Sequence, residues 1–267
     1  MTMTETACGG VAGRTRYEAE AGAFLAGYTA ALLRSGATCM RLERNVDRMA
    51  AAWHLDCTVT IMPRHIHLSV TDAKGHTDTF ITATGCHRVS YALITSLSKL
   101  SWQVADSHLN LAQARRAYDR ALEAPDANPW WTLIAVSCAN SAFCRLFGGD
   151  YMAMAVVFVA TLAGYYMKQL LLGYRADIRL TFIVCAAVSA ILASADRLFA
   201  LGATPDVAIA TSVLYLVPGI PFLNAFSDLI AGHYICFVCR TTDALVLTAS
   251  LSLGLCIGMK LMNVGMF

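Results

Sequence analysis

Hydrophobic and polar positions follow two different periods in the first half of the chain. Apolar residues recur every three or four positions over Tyr17–Leu33 and again from about Thr38, which is typical of amphipathic helices. Between Cys57 and Thr84 the period shortens to two, and this alternation predicts three strands. Helical spacing returns in Val89–Val104 and Leu111–Leu122. We therefore expect a small soluble α+β domain, with a sheet of three or four strands covered by helices.

The second half of the chain is apolar over long stretches. It predicts a polytopic α-helical membrane domain, because its charge-free runs approach the ~20 residues that cross a bilayer and flanking lysine and arginine side chains can reach the interface. The five runs are 127–144, 151–167, 180–195, 207–227 and 244–259. The predicted organisation is a disordered tail at 1–16, a soluble α+β domain at 17–125 and a five-helix transmembrane domain at 126–267.

Composition and charge narrow the classes of function. The chain is 57% hydrophobic and 14% charged, and its net charge of +2 provides no basic surface for nucleic acid. The sequence contains no nucleotide-binding loop, no GxSxG and no HExxH, so we expect neither an enzyme nor a cofactor. A carrier driven by a gradient, or a facilitated carrier, remains as the main class.

Cysteine and histidine residues do not form a convincing metal site. The ten cysteines show no disulfide framework. Cys236 and Cys239 form a single CxxC, and His233 is one conceivable third ligand, but structural zinc normally requires four protein ligands. His65 and His67 share one face of a predicted strand, where a polar outer face explains them better than a metal does. We therefore expect no bound metal.

Basic residues in the loops indicate an orientation. If the soluble domain is cytoplasmic, the inner loops carry four of them and the outer side three, which favours an N-terminus inside. The inner residues are Lys168, Arg175, Arg179 and Arg240, and the outer ones are Arg145, Arg197 and Lys260.

The fourth apolar run contains helix-breaking residues in its middle. Pro218, Gly219 and Pro221 lie at the predicted membrane depth, where proline removes a backbone donor and interrupts a helix. Irregular backbone at that depth requires partners from protein or from a water-filled cavity. Asn224 and Asp228 follow, four residues apart and so on one helical face. This arrangement is typical of a solute site near the bilayer midplane, and a kinked packing helix is the alternative.

Two more polar residues are candidate solute ligands. Asn140 lies inside the first run, where its amide either bonds a neighbouring helix or faces a pore. Lys168 ends the second run, a place where lysine side chains commonly extend to the interface. Asp228 ends the fourth run and could also lie at the cytoplasmic interface. The predicted solute-binding residues are Pro218, Gly219, Pro221, Asn224, Asp228, Asn140 and Lys168.

The last run carries a GxxxG at Gly254 and Gly258. Small residues at this spacing permit close helix packing, either within the bundle or against a partner chain such as a second copy.

Three segments match the pattern of a known family. They are Ser35-Gly36-Ala37-Thr38 with Arg41 and Glu43, Ser137-Cys138-Ala139 to Cys144-Arg145-Leu146, and Leu216-Val217-Pro218-Gly219-Ile220-Pro221 with Asn224, Asp228, Gly232 and His233. Through them the chain resembles the threonine/serine exporter family, most closely its short, YjjP-type subunits. The resemblance implies a soluble N-terminal domain followed by five spans. It also implies a second five-span half, which short members take from a separate small membrane protein.

Three hypotheses of function follow. The resemblance implies a subunit of a two-component exporter in the bacterial inner membrane, which moves a small polar metabolite without ATP: a succinate-type dicarboxylate, or threonine and serine. Asp228 would bind an amino group or carry a coupling proton, whereas Lys168 or Arg145 would bind a dicarboxylate. The second hypothesis is a membrane-anchored sensor or assembly module whose soluble domain binds a ligand or protein. The third is a membrane enzyme that uses the histidines of that domain.

Overall fold

The computed structural model describes residues 16–71, 75, 77–85, 89–125, 128–199 and 202–263. The chain divides into two compact units. The N-terminal unit comprises the residues up to Pro125 together with Phe222–Thr241, and the helical unit comprises Asp126–Pro221 with the residues from Thr242 onward. Of the predicted tail at 1–16, all but Arg16 lies outside the described residues. Asn224 and Asp228 thus belong to the N-terminal unit.

The N-terminal unit contains four helices and a sheet before the chain enters the helical unit. Their bounds are α1 (Arg16–Arg34), α2 (Cys39–Ala52), β1 (Asp56–Ile61), β2 (His65–Thr71), β3 (Thr77–Ala83), α3 (Tyr91–Asp106) and α4 (Leu111–Glu123). The strands are antiparallel in the order β1-β2-β3, and the register pairs Leu68 with Val59 on one side and with Phe80 on the other. The helix and strand periods read from the sequence are therefore confirmed in this unit.

One face of the sheet and the apolar stripes of the helices form a single core. Ile66, Leu68 and Val70 on β2 are buried, because alternate side chains of a strand point to the same face. Tyr28 of α1 is fully buried, and its hydroxyl donates a hydrogen bond to the Leu97 carbonyl of α3 at 2.8 Å. Side-chain caps begin the next three helices, and each such cap contributes about 1 kcal/mol. The capping residues are Thr38 for α2, Ser90 for α3 and Asn110 for α4.

The remaining elements are helical. They are α5 (Pro129–Leu146), α6 (Tyr151–Gly173), α7 (Ile178–Ala193), the short α8 (Ala195–Leu198), α9 (Pro205–Ser212), a 3₁₀ turn at Leu214–Leu216, α10 (Gly219–Ile230) and α11 (Tyr234–Leu261). Most of α10 and the start of α11 belong to the N-terminal unit.

Among the described residues, three helices are long and apolar enough to cross a membrane. They are Tyr151–Gly173, Ile178–Leu198 and Tyr234–Leu261, and a fourth exists if Pro205–Leu216 and Gly219–Ile230 form one broken span. The helix α5 occupies the first predicted run but is not one of these three, since Asn140, two serines and Arg145 dilute its apolar residues. These helices confirm the prediction of a mostly helical membrane protein with a small N-terminal sheet. The count of five spans stays a prediction.

Small residues let α11 approach α7 closely in the helical unit. A Cβ atom on Gly258 would lie 2.7 Å from the Cβ of Ala190, and one on Gly254 would collide with the Ile183 carbonyl oxygen. The GxxxG therefore packs within the chain, against the small face of α7.

Candidate functional site

Helical hydrogen bonding stops at the LVPGIP segment and resumes directly after it. The 3₁₀ turn ends at Leu216, and α10 begins at Gly219. Pro218 therefore precedes α10 and Pro221 lies in its first turn, where a missing N–H leaves no hydrogen bond unmade. The local sequence thus ends one helix and starts another within three residues.

The loop between α1 and α2, residues Ser35–Thr38, has a tight geometry that its sequence dictates. Gly36 has a φ of +88°, a conformation that favours glycine, and the amides of Gly36 and Ala37 bond back to the carbonyls of Leu33 and Leu32. This is a Schellman ending for α1. Thr38 then caps α2 by accepting the Arg41 N–H. The carbonyl groups of the loop therefore remain available to accept hydrogen bonds from other elements.

Asn224 and Asp228 bind this α1–α2 loop. The Asn224 side-chain amide donates to the Gly36 carbonyl at 2.8 Å. The Asp228 Oδ1 atom accepts the Cys39 N–H, the first amide of α2, at 2.9 Å. Asp228 is fully buried. A carboxylate at a helix N-terminus is favourable because it meets unsatisfied N–H groups and the positive end of the helix dipole.

Arg240 on α11 completes the arrangement. Its Nη2 donates to the Ala37 carbonyl at 2.7 Å, and its Nη1 lies 3.2 Å from Asp228 Oδ2. That second contact is an ion pair whose angle falls short of a hydrogen bond. We call Asn224, Asp228 and Arg240 the loop clamp. Beside it, His233 Nε2 lies 3.3 Å from Glu43 Oε2 on α2.

The loop clamp satisfies successive backbone groups of the loop. The Ser35 carbonyl accepts the Ser90 N–H, while the next two carbonyls accept donors from the clamp. Buried backbone groups without partners are costly, so these bonds fix the loop and the start of α2. Two of the segments that carry the family resemblance thus lie together in one site: Ser35–Thr38 and the residues after LVPGIP.

Two buried thiols lie near the clamp. Cys39 is wholly buried, and Cys236 is almost wholly buried, with its Sγ 3.7 Å from the Ile61 carbonyl oxygen. A hydrogen bond with the Cys236 thiol, and then burial, raise the pKa of the Cys39 thiol. No group of three His, Cys, Asp or Glu side chains among the described residues could hold a metal ion.

Asn140 lies in a buried polar contact of the helical unit. Its Nδ2 donates to Thr161 Oγ1 at 2.6 Å and to the Thr211 carbonyl at 3.1 Å. The Thr211 carbonyl belongs to the last turn of α9, where an interrupted helix leaves carbonyls without internal partners. Asn140 therefore supplies a donor just before the LVPGIP segment.

Lys168 lies in the same unit against aromatic rings. Its ammonium is 5.6 Å from the Tyr165 ring centroid and 5.2 Å from that of Phe182, and none of the described carboxylates forms an ion pair with it. The Tyr165 ring packs at 6.0 Å on Tyr215, whose hydroxyl lies 3.0 Å from Ser189 Oγ. Lys168 is thus connected through packed side chains to Tyr215, three residues before Pro218.

The structure therefore distributes the seven predicted residues over two places. Asn224 and Asp228 form the loop clamp of the N-terminal unit. The other five belong to the helical unit: Asn140, Lys168, Pro218, Gly219 and Pro221. Sequence reasoning used Arg240 only for orientation and did not select Tyr215 or Ser189. The available signals were an arginine in a largely apolar segment and a tyrosine directly before LVPG.

Long apolar helices with buried polar contacts, together with a small α+β unit, define an α-helical membrane protein. The family model ThrE, which describes threonine/serine exporters, matches residues 23–262. The chain belongs to the threonine/serine exporter family.

Curated relatives of this chain fall into two kinds. It is 26% identical over 234 residues to “Probable succinate transporter subunit YjjP” of Klebsiella aerogenes, covering 86% of this chain and 89% of that protein. The protein of the same name from Escherichia coli K12 is 31% identical over 126 residues, covering 47% of this chain and 49% of that protein. “Probable threonine/serine exporter” of Mycobacterium tuberculosis is 25% identical over 236 residues, which are 86% of this chain but 44% of that protein. No solved structure matches.

Proposed function

We propose that this chain is one subunit of a two-component exporter in the bacterial inner membrane, with a succinate-type dicarboxylate as its solute. The similarity to a succinate transporter subunit over 89% of that subunit's length supports a subunit role. The matching region is less than half of the mycobacterial exporter, which supports a transporter with a further half beyond the matched region. That half would be a small five-span membrane subunit of the same family. Export would use a gradient, with the soluble domain at residues 17–125 in the cytoplasm and five spans, the fourth broken at LVPGIP.

The surroundings of the Lys168 ammonium are the single observation that favours an anionic solute. A cation that is half-buried among aromatic rings, without a carboxylate partner among the described residues, retains its capacity to bind an anion. The hydroxyls of Tyr215 and Ser189 add neutral polar groups in the same unit, whereas the Asn140 amide already donates to Thr161 and Thr211. We place the solute beside Lys168 and the LVPGIP segment. Asn224 and Asp228 then act as positioning residues rather than as ligands.

The test is succinate efflux from loaded cells that express this chain with its partner subunit. Losing a charge-assisted hydrogen bond of about 1.5–3 kcal/mol should slow efflux roughly 10- to 100-fold in Lys168→Met. Lys260→Met is the matched control, because Lys260 is an exposed lysine at the end of α11. Efflux of succinate at the wild-type rate by Lys168→Met would refute the assigned role of Lys168.

Threonine and serine serve as the second arm of the same assay. Both are zwitterions without net negative charge, so a cation such as Lys168 favours them less than it favours a dicarboxylate. Efflux of these amino acids by cells that retain succinate would assign this chain to amino-acid export instead.

A further inference from the structure

Asp196 is a buried carboxylate whose partners are missing from the described part of the chain. It lies on α8 at the end of the helical unit where α6 begins, α7 ends and α9 begins. Its side chain is wholly buried, and neither carboxylate oxygen accepts a hydrogen bond from a described residue. The Gly202 amide faces this carboxylate but lies outside hydrogen-bond geometry. Burying a charged carboxylate without such partners is costly, and binding of a proton removes that cost.

A second carboxylate, that of Asp150, lies beside Asp196 at Gly202. A Cβ atom on Gly202 would lie 2.8 Å from Asp150 Oδ2 and 3.0 Å from Asp196 Oδ1, so the two carboxylates flank one glycine. The oxygens of Asp150 are already occupied: Oδ1 accepts the Ala153 N–H at 2.7 Å and Oδ2 accepts the Ala203 N–H at 2.6 Å. These backbone bonds hold the pKa of Asp150 below its ordinary value. Asp150 is therefore a fixed negative charge.

The other charged groups on the elements packed against α8 do not neutralise Asp196. Arg197, the next residue, points its guanidinium to Asp206 on α9, at 2.9 Å. Within α7, Arg179 lies in the first turn, at the opposite end of the helix. On α6, Lys168 lies toward the end of the helix opposite to α8, beside the rings of Tyr165 and Phe182. No arginine or lysine among the described residues forms an ion pair with Asp196.

We propose that Asp196 is the proton-binding group that couples export to the proton gradient. A proton fits better than a metal ion, because Na⁺ or Mg²⁺ requires several oxygen ligands and no group of three His, Cys, Asp or Glu side chains among the described residues could hold a metal. The proposal rests on the exporter function above. In the proposed topology, with residues 17–125 in the cytoplasm and α5, α6 and α7 each crossing once, α8 and Asp196 would lie toward the external side. The proton would bind there, cross with the conformational change and leave inside, while the solute moves outward.

The transport test separates coupling from solute binding. Purified chain and partner subunit are reconstituted in vesicles, and two rates are measured: succinate flux driven by a pH gradient, and exchange of labelled for unlabelled succinate without a gradient. Asp196→Asn should lose most of the response to the pH gradient, at least about tenfold, while exchange continues. Asp206→Asn is the matched control, since its carboxylate is exposed and paired. Asp196→Asn with the full response to a pH gradient would overturn the proposal.

A spectroscopic test is independent of transport. Infrared difference spectra of the purified chain, recorded between acidic and alkaline pH, should contain the carbonyl band of a buried protonated carboxyl. The band should disappear in Asp196→Asn and persist in Asp206→Asn. Its absence from the wild-type chain would overturn the proton site whether or not succinate is transported. If the band is present but no succinate moves in either assay, the exporter assignment fails and the proton site stands.

Discussion

The loop clamp predicts a large energetic coupling between Asp228 and Arg240. Replacing Asp228 by alanine leaves the Arg240 guanidinium, whose side chain is only 16% exposed, without its ion-pair partner, and leaves the Cys39 N–H without an acceptor. Removing one partner of a buried pair costs about 3–5 kcal/mol. That is a large fraction of the roughly 5–15 kcal/mol that stabilises a typical protein.

A double-mutant cycle with Asp228→Ala and Arg240→Met measures this coupling. We expect the double variant to be less destabilised than the sum of the single variants by about 1–3 kcal/mol, because no charge is then left buried alone. The free energies come from urea unfolding in detergent micelles followed by circular dichroism. Amide exchange at Cys39 reports separately on the start of α2, and it should accelerate in Asp228→Ala.

The matched control is the same kind of pair in an exposed position. Arg197 and Asp206 lie 2.9 Å apart, but their side chains are 46% and 81% exposed. An exposed pair contributes about 0–1 kcal/mol. If the Asp228–Arg240 cycle gives no more coupling than the Arg197–Asp206 cycle, the clamp does not stabilise the loop and the reasoning fails.

Two further predictions concern the helical unit. A Cβ on Gly164 would collide with the Tyr215 hydroxyl, so Gly164→Ala should lower the midpoint of thermal unfolding. The control is Gly173→Ala, whose added Cβ meets no atom within 4 Å and should leave the midpoint unchanged. Equal midpoints of the two variants would contradict the packing of Gly164 against Tyr215. Because the pKa of Asp150 is lowered in the folded chain, its stabilisation is present above the ordinary aspartate pKa and is lost as the pH falls through the lower, folded value. Unfolding of Asp150→Asn should therefore depend less on acid pH than unfolding of the wild type, and identical acid profiles would contradict this.

The sequence predicted the N-terminal unit well because its signals are local. The switch from helical spacing to alternation located the strands, and the buried side chains of Ile66, Leu68 and Val70 follow from that alternation. Caps at Ser90 and Asn110 begin helices near the predicted positions. Each of these features depends on neighbours within a few residues, which periodicity records directly.

The roles of the polar residues after LVPGIP could not be predicted in the same way. Asn224 and Asp228 lie in or beside an apolar run, so hydropathy suggested solute contact in the membrane. Their partners, Gly36 and Cys39, are nearly two hundred residues earlier in the chain. No local pattern encodes a pairing at that distance. Arg240 was missed for the same reason, since its charge is visible in the sequence but its partners are not.

The contrast between two buried aspartates bears directly on mechanism. Asp228 has a backbone N–H on one oxygen and a guanidinium near the other, so both of its oxygens face donors at the loop clamp. Asp196 has no such compensation within the described residues and stands beside a second carboxylate. A group that gains and loses a proton in each cycle must tolerate both states without breaking hydrogen bonds. Asp196 meets that condition, which is why we propose it as the site of the coupling proton, while the contacts of Asp228 hold the start of α2.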